Sequence, residues 1–279
     1  MTQKRTVTVY SDSWQPGFID QHTSDLSRYL EETSRSDVVR RVADCAFDLM
    51  SPLAGKTVLE VGCGNGVLLP RLAEAAGPGG RVVGIDHSEA FVAESKARVD
   101  AAGFAARVTV QAADAYHLPF PEGTFDTAHC ERVLMHLDEP GAALAEMKRV
   151  VRPGGWIVAA EPDWVGLRID HVDPDGLQLI LVRARRSRQP GMGVTLYRRM
   201  GELAMIERRA VPIVSAVTNF EVLKGFGLTL APAADSLVAD GTLTRARADA
   251  LLSYLEEANA ADRFYGVAAM HVVAGRVQG

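Results

Sequence analysis

The chain has 279 residues, 47% of them apolar, which is enough for one large domain or one domain carrying a sizeable cap. Its 35 acidic and 30 basic side chains leave a formal charge of -5, which gives no general attraction for nucleic acid. No apolar run reaches the ~20 residues that span a bilayer, so no membrane partner is expected. The opening stretch "MTQKRTVTVYSDSW" lacks the apolar centre of a secretory signal. Cys45, Cys63 and Cys130 show neither paired spacing nor an even count. The expectation is a cytoplasmic protein with reduced thiols and no metal.

In chain order, Tyr10, Trp14, Phe18, His22 and Tyr29 are spaced for a partly aromatic lid, and a helix packed on the core would explain them equally well. Between Ser36 and Met50, Val39, Val42, Ala43, Ala46, Phe47 and Met50 recur at helical spacing. Pro52 ends that helix, because it disfavours helical geometry in Ser51. "KTVLEVG" reads as a buried strand, "VLLPRLAEAAG" as a helix stopping at Gly77, and "GRVVGID" as the next strand. In "SEAFVAESKARVDAAG", Ser88 caps a helix and Gly103 ends it. "ARVTVQAAD" and "FDTAHCERVL" are predicted strands around the turn-rich "LPFPEGT". "PGAALAEMKRVV" is a predicted helix, and "GGWIVAAEPDW" a strand.

After Asp163 a mainly helical insertion is predicted to Glu202, then a strand over 206–214, helices over 220–261, and a last strand in "FYGVAAMHVVAGRV". Alternating strands and helices, with continuous apolar strands, predict an α/β protein with a parallel sheet covered on both faces. The expected divisions are a lid at 1–35, a core at 36–163, a cap with one sheet strand at 164–262 and a last sheet strand at 263–279. Met192, Leu196, Met200 and Met205 are candidates for the cap's apolar wall, although methionines more often fill cores.

The stretch "LEVGCGNG" sets Gly62, Gly64 and Gly66 at alternate positions behind Glu60. In a doubly wound sheet, ligands bind beyond the carboxyl ends of the strands, and glycine there lets a ligand approach the main chain. The spacing is not the GxGxxG of dinucleotide binding. Asp86 ends the second strand, placed for a ribose diol, and Asp114 ends the third, placed for an adenine amino group. The set asks for a nucleoside with a zwitterionic tail. Plainer readings stand beside it: a tight turn for the glycines, a helix cap for Asp86, an ordinary turn for Asp114, and a small space-filler for Cys63.

"VLEVGCGNG", "VVGIDHS", "AADAYHLPFPEGTFD" and "LAEMKRVVRPGGWIVAAEPDW" together resemble the class I S-adenosylmethionine-dependent methyltransferases, over residues 57–164. The likeness is nearest to the small-molecule branch that includes quinone-biosynthesis and secondary-metabolite enzymes. It implies a Rossmann-like, doubly wound, seven-stranded sheet whose last strand is antiparallel, with a mainly helical cap. It implies S-adenosyl-L-methionine as cofactor and S-adenosyl-L-homocysteine as product. The methionine portion would lie on Glu60, Gly62, Cys63, Gly64 and Gly66, and the ribose on Asp86. His87 would flank the adenine, Asp114 and Ala115 would meet its edge, and Cys130 and Glu131 would line the end of the fourth strand.

Methyl transfer to oxygen needs alignment and a base to take the proton. In "VLMHLDEPG", His136 stands where some related O-methyltransferases have a proposed base, and Glu161 where relatives often carry an acid. Met135 departs from the pattern, since several relatives have a second histidine there. His136 as a plain packing residue is the competing reading. The basic run with Arg183, Arg185, Arg186 and Arg188 is a solvated face or an anion-binding surface. The function expected is methyl transfer to a small-molecule metabolite at oxygen, by a monomer or homodimer without nucleic acid. The alternative is a protein that keeps the cofactor as a structural or electrostatic element for a non-methylating reaction such as cyclisation.

Overall fold

The apolar runs of the sequence form the strands of one sheet in the computed structural model, which describes residues 14–184 and 187–279. The strands are β1 (Thr57–Val61), β2 (Arg81–Asp86), β3 (Val108–Ala112), β4 (Phe125–Glu131), β5 (Val151–Ile169), β6 (Ile206–Val217) and β7 (Gly266–Arg276). Their order across the sheet is β3-β2-β1-β4-β5-β7-β6. The pairs β1–β2, β1–β4, β2–β3 and β4–β5 are parallel. Strand β7 runs antiparallel to both its neighbours, β5 and β6. This is the doubly wound sheet with an antiparallel last strand that the sequence implied.

Burial on both faces explains why β1 is apolar apart from Thr57 at its start and Glu60: Val58 to Val61 are all buried. Helices α1 (Pro16–Ser34), α2 (Asp37–Met50), α3 (Leu69–Ala76), α4 (Glu89–Ala101) and α5 (Pro140–Val150) flank this half of the chain. Polar caps set the starts of two of them. The Ser36 hydroxyl accepts from Val39 N–H at 3.4 Å, and the Ser88 hydroxyl from Phe91 N–H at 3.3 Å. One face of the sheet carries apolar side chains of α2, α3 and α4, among them Phe47, Leu72 and Val92. The other carries Leu144 and Met147 of α5.

The remaining helices are α6 (Pro174–Ala184), α7 (Met192–Glu202), α8 (Phe220–Gly225), α9 (Ala231–Ala239) and α10 (Arg245–Ala260). Helices α6, α8, α9 and α10 share a separate apolar cluster that includes Leu181, Leu223, Leu237 and Leu255. Helix α7 does not belong to it. Met192, Leu196, Met200 and Met205 are buried against the sheet with α5, so they fill the core and do not wall the cap. Two strands also exceed their expected lengths. After a register shift between Asp163 and Arg168, β5 continues to pair with β7 through Arg168 and Ile169. Strand β6 runs on to Val217, paired with Gly266. The sheet thus projects into the cap and gives it a floor.

Leu144 is fully buried in the core face that α5 covers. Leu144→Ala should lower unfolding stability by about 2–5 kcal/mol, through lost burial and the cavity left behind. Urea unfolding followed by circular dichroism measures it, and an unchanged midpoint would mean that this face is loosely packed.

Candidate active site

The order of the strands reverses between β1 and β4, and the loop after β1 opens at that point. Gly62 (φ 71°) and Gly64 (φ 54°) lie in the left-handed region that favours glycine. A Cβ on Gly62 would stand 2.4 Å from Val133 Cγ2, so a side chain there would collide with the segment after β4. Gly64 N–H donates to Asp86 Oδ2 at 2.9 Å, and Ser88 N–H donates to Asp86 Oδ1 at 3.0 Å. Asp86 therefore binds the loop to the end of β2 and still has acceptor capacity on both oxygens. Burial raises its pKa, opposed by His87 and these amides. The His87 ring is 3.6 Å from the same carboxylate and partly exposed.

The other residues assigned to the nucleoside are placed less uniformly. Asp114 is exposed and accepts from Tyr116 N–H at 2.9 Å, an ordinary Asx turn beside Ala115. Cys63 turns its sulfur toward Ser95 Oγ and Gly64 O, 3.9 Å from each. Glu60 faces His129 across the β1–β4 pair, with Oε2 2.7 Å from Nδ1, both buried. Its carboxylate is committed to holding two strands together. Burial pushes the Cys63 and Cys130 thiols well up, which leaves neither as a nucleophile at neutral pH. Glu131 is buried at its carboxylate, and one of its oxygens lies 3.3 Å from Arg132 Nε.

The strand predicted over "FDTAHCERVL" stops at Glu131, because Arg132 takes a positive φ of 57°. This is an uncommon conformation for a side chain of that size. It redirects the chain into a single 3-10 turn, Leu134–His136. Beneath that turn lies Glu161, fully buried. Its Oε1 accepts from Val133 N–H at 2.9 Å and Leu134 N–H at 2.6 Å, and Oε2 accepts from Met135 N–H at 3.4 Å. Burial raises Glu161 to about 8 against these three donors. The carboxyl group orients the backbone that carries His136.

His136 Nδ1 is buried and has no hydrogen-bond partner among the described residues. Burial, with the Arg132 charge added, lowers the imidazole to about 3, so it is neutral. The Trp14 ring lies 5.4 Å from it. Both border a chamber of about 470 Å³. Its near wall is Trp14 and Tyr29, then Arg132 and Met135, then Pro162, Asp163 and Trp164 of β5. Its far wall belongs to α6, α8 and the ends of β6 and β7. Among the aromatic lid candidates, Trp14 and Tyr29 reach the chamber. Phe18 and His22 stack on each other at 4.3 Å within α1, and Tyr10 lies outside the described residues.

Sequence reasoning missed Arg132, which lines the chamber and donates from Nη1 to Thr33 Oγ1 at 3.0 Å. It also missed the clamp of α1 over the glycine loop. Asn65 Nδ2 donates to Ser27 Oγ at 2.7 Å, and Arg98 bridges Asn65 O at 2.9 Å and Glu31 Oε1 at 2.6 Å. The basic run is partly accounted for: Arg183 meets Asp240, and Arg188 meets Asp138. Arg185 and Arg186 lie outside the described residues.

Residues 59–159 match the methyltransferase domain family. The chain is 35% identical over 195 residues to an uncharacterized 37.1 kDa protein in transposon TN4556 of Streptomyces fradiae, covering 70% of this chain and 55% of that protein. It is 40% identical over 111 residues to the ubiquinone biosynthesis O-methyltransferase of Thiobacillus denitrificans, covering 39% of this chain and 46% of that one. The chain thus spans about half the length of these curated relatives. The crystal structure of the YcgJ protein from Bacillus subtilis superposes with a TM-score of 0.60 at 16% identity, over 86% of this chain and 99% of that one. That last likeness is one of fold.

The two shifted groups give opposite pH dependences. His136 sits at about 3 in the folded chain against an ordinary 6.5, so the unfolded chain takes up a proton the folded one refuses. Its contribution is present above 6.5 and is lost as pH falls. Glu161 sits at about 8 against 4.5, so the folded chain keeps a proton the unfolded one releases. That contribution is full below 4.5 and is lost as pH rises toward 8. Between pH 6.5 and 8, wild type should lose stability relative to Glu161→Gln, by up to about 1.4 kcal/mol per pH unit. Urea unfolding across that range tests it, and parallel profiles would show the Glu161 carboxyl ionised throughout.

Proposed function

We propose that the chain is a class I methyltransferase, which transfers the methyl group of S-adenosyl-L-methionine to oxygen on a small-molecule acceptor. One observation carries the reading. A glycine loop, a buried carboxylate at the end of β2 and a buried unpartnered imidazole converge on one sheet edge, next to a chamber.

The residues present fit this cofactor. The left-handed Gly62 and Gly64 leave backbone where side chains would otherwise stand. Asp86 keeps acceptor capacity for the two ribose hydroxyls, with the His87 ring beside it. Glu131 Oε2 is buried without a partner at the end of β4, where a cationic amine would satisfy it. Asp114 and Ala115 border the adenine end. The cofactor, when bound, supplies an electrophilic methyl on a sulfonium.

The chain's own part is alignment, exclusion of water and removal of one proton. Trp14 and Tyr29 line the chamber, placed to help exclude water. His136 Nδ1 accepts the acceptor's hydroxyl proton as the new bond forms at oxygen. Neutrality keeps its lone pair free, and the burial and Arg132 charge that lower its pKa favour release of the proton afterwards. Glu161 is a positioning residue, since it reaches His136 through the backbone amides of the turn. A buried neutral imidazole supports oxygen as the target, because a hydroxyl has a proton to lose.

Asp86→Ala should weaken binding of S-adenosyl-L-homocysteine by ~1.5–3 kcal/mol, the range for hydrogen bonds to a charged group. Calorimetry reads this, and unchanged affinity in a folded variant would remove Asp86 from the site. His136→Ala should lower turnover ~10²–10⁴-fold with cofactor affinity nearly constant. The assay is mass spectrometry of candidate hydroxylated metabolites for a gain of one methyl. Turnover within a few-fold of wild type would mean that the acceptor is already ionised or that another atom is methylated.

A further inference from the structure

The chamber has a chemical character that the methyl-transfer reading does not by itself specify. Its walls are chiefly apolar, with Leu181, Val217, Leu223 and Phe226 on the cap side. Among its described lining residues, the side chains that carry charge are Arg132, Asp37 and Asp163. Arg132 faces the Glu131 carboxylate and donates to Thr33, and Asp37 lies 3.7 Å from Arg40 and 3.8 Å from Arg41. Arg132 and Asp37 thus both have partners on the chain, while Asp163 is a buried acid on the wall. Such a wall is a poor host for a polyanion, whose burial in apolar surroundings is costly unless it is paired.

Two wall atoms point to what the chamber receives. His136 Nδ1 and Ser187 Oγ are both buried, both belong to lining residues, and neither has a hydrogen-bond partner. Buried polar atoms are nearly always satisfied. Two orphans around one chamber mark the points where a guest would supply the missing bonds. The volume of about 470 Å³ lies within the range of small-molecule sites.

We infer that the acceptor is an uncharged, largely apolar molecule that presents a hydroxyl to His136 Nδ1 and a second polar group to Ser187 Oγ. Calling it the acceptor rests on the methyl-transfer reading; the chamber's preference for such a ligand does not. In the transfer, the carbon–sulfur bond of the sulfonium breaks, a carbon–oxygen bond forms, and the hydroxyl proton passes to His136 Nδ1. Phosphate esters and nucleotides are disfavoured, because their charges would meet the buried Asp163 among apolar side chains.

The test is calorimetry on the full chain with naphthol and naphthyl phosphate as probes at neutral pH, with no cofactor present. Naphthol should bind about tenfold or more tightly than naphthyl phosphate. Ala216→Phe and Val222→Trp add bulk at two exposed positions on the wall, where no core packing is disturbed. Each should weaken naphthol about tenfold and leave the affinity for S-adenosyl-L-homocysteine unchanged. Equal or tighter binding of naphthyl phosphate would overturn the inference, as would naphthol affinity unmoved by both variants. A chain that prefers naphthol but binds no S-adenosyl-L-homocysteine keeps the chamber assignment and removes the methyl-transfer reading.

Discussion

The fold of the site depends on one buried carboxyl group. Glu161 collects the amides of Val133, Leu134 and Met135, three donors that the positive φ of Arg132 turns away from the β4 ladder. Without an acceptor there, three N–H groups would be left in the interior, each at a cost of about 1–3 kcal/mol. The surroundings of that turn are set by it. Val133 closes on Gly62, His136 faces the chamber, and Met135 O accepts from Gln189 N–H at 3.0 Å, which ties the cap's connecting segment to the sheet edge. A single position in β5 thereby fixes the glycine loop's neighbour, the imidazole and the cap together.

The first helix is held in two unequal parts. Its C-terminal half is clamped to the glycine loop and to the end of β4 through Ser27, Glu31 and Thr33. At His22 the backbone leaves helical geometry, with φ -130° and ψ 20°, and the segment before it carries Trp14 across to His136. The aromatic ring beside His136 is thus attached through a kink to a helix that is itself anchored. That arrangement suits a segment that must let molecules in and then exclude water.

The sheet was legible in the sequence because its signals are local: buried runs, glycine stops and serine caps. Ser88 caps α4 through Phe91, and the antiparallel β7 lies where "MHVVAGRV" placed it. The illegible parts depend on partners far away in sequence. Glu60 reads as a strand-end acid for the cofactor until the β1–β4 register sets it against His129, 69 residues on. The extension of β5 past Asp163 comes from pairing with β7, and nothing in "VGLRI" announces it. The methionines of α7 were candidates for the cap wall although methionines more often fill cores, and the position of that helix on the sheet decided for core. Arg132 carried no local signal, since its positive φ is imposed by the turn that Glu161 gathers beside it.

The place of β7 in the sheet has a consequence for how the protein is made. Strand β6 has β7 as its neighbour in the sheet, and β7 lies between it and β5. All of α8, α9 and α10 is synthesised between the two. As the chain leaves the ribosome, β1 to β5 can assemble in the order of their appearance. Strand β6 then waits with its backbone groups unpaired while the cap helices are added. The cap must therefore be made before the strand that seats it exists. Completion of this half of the sheet falls after synthesis of β7, and an exposed β6 is the part of the nascent chain most in need of protection from pairing with other strands.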